Sequence, residues 1–148
     1  MNALTSLLKT FGSLAFFLLC GFALNAQSLK TTVKEFSSLL SEKTIEKDAF
    51  LNRVKPFIDP RENADSLALD YFNNLTLNLK NESYPVRNTI ELIVEKPEKE
   101  AMVLISSDWH MPDGKLMYVL NKTYWRQIDG KWYRMAIPSE YVEVFEKK

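Results

Sequence analysis

One cysteine, one histidine and four glycines are all that 148 residues hold of three residue types on which much protein chemistry depends. The cysteine, Cys20, falls in an apolar N-terminal stretch. The rest of the chain therefore has no disulfide, no thiol nucleophile and no thiolate metal site. One histidine cannot supply a His-based ligand set, so no metal is expected. With so few glycines there is no phosphate-cradling loop, and no nucleophile elbow is present. Charge of one sign is missing as well: 19 basic residues balance 19 acidic ones. A nucleic-acid surface wants a basic face, so nucleic acid is not an expected partner. No cofactor is expected.

What is present begins with a targeting segment. Lys9 precedes an apolar run from Phe11 to Leu24, the length of a signal h-region and short for a membrane span. Leu24-Asn25-Ala26 offers a small residue for cleavage. Residues 1–26 thus read as a signal peptide, and the chain is expected to be exported, to a bacterial periplasm or outside the cell. The alternative is a lipoprotein anchored through Cys20. Against it, Leu19 stands where such signals want a small residue. Residues 27–148 then carry no cysteine and no membrane span, and are long enough to build a core unaided. Aromatics at 12% favour packing over disorder.

Three helices are expected first. Leu29, Val33, Phe36 and Leu40 recur at helical spacing. A second helix from Thr44 places Phe50, Leu51, Val54 and Phe57 on one side, and Pro56 stops it near Val54 or Lys55. Asp59-Pro60-Arg61-Glu62 has the pattern of a capped start to a third. Its stripe is Ala64, Leu67, Ala68, Tyr71, Phe72 and Leu75.

Strands follow. Val86, Asn88, Ile90, Leu92 and Val94 alternate with polar residues, the mark of a half-buried strand. Ala101 to Ile105 is apolar on both faces and reads as central. Met111-Pro112-Asp113-Gly114-Lys115 is a turn. Leu116 to Ile128 forms a long strand, and Lys131 to Ile137 returns from it. Tyr141 to Phe145 is expected to be a short helix, with a fifth strand as the alternative. Three tripeptides, starting at Asn74, Asn81 and Asn121, match the glycosylation acceptor by chance.

The hairpin is the clearest local signal. Asp129-Gly130 between aromatic runs suits a two-residue type I′ loop, in which both residues need φ > 0. It pairs Ile128 with Lys131, Gln127 with Trp132, Arg126 with Tyr133, and Trp125 with Arg134. A guanidinium stacked on the Trp125 indole would contribute roughly 0.5–1 kcal/mol if exposed. The fold class expected is α+β: three N-terminal helices on a curved, cone-like four-stranded antiparallel meander.

This order, together with Trp125-Arg126-Gln127-Ile128-Asp129-Gly130-Lys131-Trp132-Tyr133, resembles the nuclear transport factor 2-like superfamily, which includes SnoaL-type cyclases and ketosteroid isomerases. The resemblance spans about residues 30–137. It implies a cystatin-like roll with a pocket inside the cone. The acids and phenols that catalytic members place there are not assignable in this sequence.

Asp108-Trp109-His110 brings the one histidine beside an acid. On a strand, Asp108 and His110 share a face, and a carboxylate can orient an imidazole as a general base. The competing explanation is a polar strand end facing water. Tyr118 and Tyr124 share a strand face, and Tyr71 lies on the third helix's stripe. All three phenols are candidate ligand contacts if that face lines the cone; otherwise they reach the rim. The leading expectation is non-enzymatic binding of a small apolar ligand or a protein partner through the cone. One alternative is a SnoaL-like isomerase, cyclase or hydrolase using Asp108 and His110. Another is a homodimer or structural module built on a Trp125/Trp132 sheet face.

Overall fold

The computed structural model describes residues 28–147. The signal segment, Cys20 and the Ala26 cleavage site lie outside the described residues.

Each helix starts where a side chain can serve its orphan N–H groups. In α1 (Leu29–Leu39), the Ser28 hydroxyl accepts from Thr31 N. In α2 (Lys47–Val54), Glu46 accepts from Asp48 and Ala49. Pro56 ends α2 as expected, and a 3₁₀ turn, Lys55–Phe57, follows. The third helix, α3 (Ala64–Lys80), starts later than its sequence implied, with Asn63 as cap. Asp59 is diverted to another task. Its side chain is buried and bonded to Arg61 and Arg126, and its N–H goes to the Arg134 carbonyl.

Five antiparallel strands follow: β1 (Tyr84–Lys96), β2 (Glu100–His110), β3 (Leu116–Ile128), β4 (Lys131–Arg134) and β5 (Glu140–Glu146). The sheet order is β1-β2-β3-β4, and β5 also pairs with β3. The expected four-strand meander is therefore corrected to five, and the expected helix at Tyr141–Phe145 is part of β5. The β-branched and aromatic residues of Tyr-Val-Glu-Val-Phe, and the stretch Met117–Lys122 of β3 that they pair with, outweighed the cap signal of Ser139. β4 and β5 occupy successive parts of one β3 edge, separated by a break at residues 135–139.

The hairpin register is the expected one, Trp125↔Arg134 through Ile128↔Lys131. Asp129 and Gly130 have φ of 50° and 79°. The guanidinium does not stack on indole, however; its terminal N–H groups turn to oxygen acceptors (below). Breaks in register also explain β1. A shift between Ile90 and Leu92 sets Ile93 opposite Val103, within the core, and leaves Leu92 and Val94 exposed.

One buried cluster joins the helices to the sheet. Val33 and Phe36 of α1, Phe50 and Val54 of α2, and Ala68 and Leu75 of α3 meet Ala101, Val103, Trp125 and Trp132. Phe36 sits at its centre, with its ring edge-on to Tyr71 (5.3 Å) and Trp125 (5.5 Å). Trp125 and Trp132 are thus enclosed, and they offer no exposed sheet face to a second chain.

Candidate functional site

Alternation along β2 and β3 sorts side chains between the two faces. Ile105, Ser107 and Trp109 point to the helix side, as do Asn121, Thr123 and Trp125, and there they line a cavity of about 180 Å³. Phe36 of α1, Leu40 at its C-cap, and Tyr71, Asn74 and Asn78 of α3 form the opposite wall. From Tyr71 to Asn78 is seven helical residues, so that wall is about 10 Å long at 1.5 Å each. At ~30 Å³ per water the space equals roughly six waters. The cavity is a slot between α1, α3 and the sheet.

Its lining is half aromatic and aliphatic, half neutral polar. Asn88 is anchored by Ser41 (2.7 Å) and Ser107 (2.6 Å), which bind α1 to β1 and β2. The Trp109 indole N–H is buried and finds no acceptor among the described residues. A buried donor left unpaired costs about 1–3 kcal/mol, so a protein keeps one where something else takes the bond.

The one charged group in the lining is Arg134, 3% exposed. Nη1 donates to the carbonyls of Tyr124 and Met135, and Nη2 to the Ile137 carbonyl (3.0 Å) and the Ser139 hydroxyl (3.1 Å). These bonds staple the break between β4 and β5. Every acceptor is neutral, and no carboxylate pairs with Arg134 among the described residues. Burial lowers its pKa, with the Tyr71 and Tyr124 phenols pulling the other way. Burial likewise raises the Tyr71 pKa, and Arg134 opposes that rise.

A larger groove of about 520 Å³ lies between α1 and β1, sharing Ser37, Ser41, Asn88 and Ile105 with the cavity. Lys30, Lys34 and Arg87 border it. Neither space has a single Asp or Glu in its lining, in a chain with 19 of them.

The sequence candidates divide. Tyr71 lines the cavity. Tyr118 and Tyr124 lie on the other face of the sheet: Tyr118 stacks on Phe145 at 4.7 Å, and Tyr124 donates a short hydrogen bond to Glu140. That bond raises the Tyr124 pKa and lowers that of Glu140. Asp108 and His110 share a face, as expected, but it is also the outer one. Asp108 is held by Lys147 (2.6 Å) and Arg87 (2.6 Å). The Lys147 bond, opposed by burial and aided by Arg87, lowers its pKa. His110 stacks on Tyr84 at 4.9 Å and meets the Glu82 carbonyl at 3.3 Å. Acid and imidazole are thus each engaged elsewhere, away from the cavity, and no acid–base pair is assembled.

Sequence reasoning missed Arg134, Trp109 and the asparagines as cavity residues. The signal was available for Arg134, which alternates with Trp132 and faces Trp125 across the hairpin. Among the described residues no group of three or more His, Cys, Asp or Glu could hold a metal, and no helix is long and apolar enough to cross a membrane. No protein-family model matches the chain, and no curated protein does.

Proposed function

We propose that this is an exported, non-enzymatic binding domain that takes a small molecule into the slot between α1, α3 and the sheet. The observation that carries the reading is the lining itself: aromatic walls, neutral polar side chains, and one buried donor without a protein acceptor among the described residues, the Trp109 indole N–H. Pockets with few placed polar groups among apolar walls are the usual form of small-ligand sites. Three helices before an antiparallel sheet, with the Asp129-Gly130 hairpin between Trp125 and Trp132, also support the cone-like, nuclear transport factor 2-like roll. The acid–base alternative loses its support with Asp108 and His110 outside the slot.

A protein-partner reading has a separate observation in its favour. Tyr141, Val142, Val144 and Phe145 are exposed along β5, which pairs only with β3 among the described residues.

Native mass spectrometry of protein exported by a bacterial host tests both. A retained mass beyond residues 27–148 is the expected result. Bare monomer, unaltered by incubation with small-molecule libraries, contradicts ligand binding.

A further inference from the structure

The slot's ligand class follows from its charges. A guanidinium buried to this extent ordinarily faces a carboxylate, because taking a cation out of water is costly unless it is paired. Arg134 has none. Its four terminal N–H groups hold neutral oxygens, and Nε–H is the donor left over. The carbonyl staple accounts for the hydrogen bonds. It does not account for the charge, which no carboxylate among the described residues neutralises.

The surroundings agree. The slot and the adjoining groove are together lined by Lys30, Lys34, Arg87 and Arg134 and by no acid. Arg87 already serves Asp108, but Lys30 and Lys34 form no ion pair among the described residues. Two exposed lysines at a mouth raise the local concentration of anions. Next to Arg134, the walls are Phe36, Tyr71 and Trp125, apolar surface for a body carrying a single charge. Farther along, Asn74, Asn78 and Trp109 can bond a polar substituent.

We infer that the slot binds a slender organic monocarboxylate, its carboxylate toward Arg134 and its body along the α3 wall. The inference rests on the binding reading above and names its ligand class. A slot about 10 Å long admits a chain of six or so carbons or a phenyl ring on a short tether.

The test is calorimetric titration of the chain from residue 27 onward with hexanoate and 3-phenylpropionate, each against its neutral amide. Losing a charge-assisted bond weakens binding by roughly tenfold to a hundredfold. The acids are expected to bind at least tenfold tighter than the amides. Substituting Lys30→Gln and Lys34→Gln together should slow association and flatten its salt dependence, and both sites are exposed enough to leave folding intact. Amides binding as tightly as acids would overturn the carboxylate assignment while sparing the slot as a site. Inorganic phosphate competing as well as either acid would also overturn it, by showing a general anion site. Binding of none of the four compounds would overturn the carboxylate assignment, and the small-ligand reading would then be decided by the retained mass in the native spectrum.

Discussion

Two arginines of one hairpin, eight residues apart, meet opposite fates. Arg126 on β3 sits between two carboxylates, Asp59 (2.8 Å) and Glu100 (2.7 Å), and Arg61 closes the chain on Asp59 at 2.9 Å. Arg134 on β4 is more deeply buried and touches only neutral oxygens. The first is a completed structural network. It ties the segment before α3 to the sheet and explains why Asp59-Pro60 does not cap the helix. The second supports the chain locally but leaves its charge open toward a cavity. The difference separates a charge that the fold uses up from one that it holds in reserve.

Removing the shared carboxylate should break the comparison most severely. Asp59→Ala removes a buried carboxylate that two arginines share; Arg126 keeps Glu100 and Arg61 reaches water, so the cost falls at the low end of that for breaking a buried pair, about 3 kcal/mol. A melting point lower by roughly 10 °C or more is expected in thermal denaturation. Arg134→Met should cost less, about 2 kcal/mol in urea unfolding, since unpaired carbonyls are offset by relief from a buried charge. If Arg134→Met proves as damaging as Asp59→Ala, the two arginines are equally structural and the contrast fails.

Acid sharpens the same contrast. Burial pushes the Asp59 pKa up, but bonds from Arg61 and Arg126 outweigh it and hold the pKa below its ordinary 3.8. A depressed carboxylate stabilises the fold fully above its unfolded pKa and loses that contribution as pH falls through the folded value. The stability gap between wild type and Asp59→Asn should therefore be widest near neutrality and narrow below about pH 4. A gap independent of pH in urea melts would show that the Asp59 charge contributes nothing.

Asp108→Asn should have the smallest effect, about 1–2 kcal/mol by the same melts. Its partners Arg87 and Lys147 reach water, 68% and 33% exposed, which screens the pair. Because Asp108 lies on the outer face and its neutralisation frees Arg87 beside the groove, affinity for an acid should hold or rise slightly. A loss of binding in this variant would revive the acid as part of the site.

Much of the fold was legible because it depends on local chemistry. Asp129-Gly130 alone set the hairpin register, Pro56 ended α2, and the 3.6-residue stripes marked the faces of α1 and α3. What failed depended on distant partners. Asp59 resembled a cap until Arg126, 67 residues away, claimed its carboxylate. Residues 141–145 resembled a helix start until the edge of β3 supplied hydrogen bonds. The site was legible only at Tyr71. Tyr118 and Tyr124 were placed correctly on one strand face, yet alternation cannot say which face the helices cover. Arg134 was assigned the right neighbour and the wrong role, because a break in β4–β5 is invisible until the strand pairs.

The measurement closest to the central claim is an NMR titration that follows the indole N–H of Trp125, whose bond to Thr123 (2.9 Å) fixes it beside Arg134 in the cavity wall. With 3-phenylpropionate that signal should move and saturate, and with the matching amide at the same concentrations it should move clearly less, along a curve at least tenfold weaker. Equal movement with both, or movement with neither, would contradict a cavity whose reserved charge selects an acid.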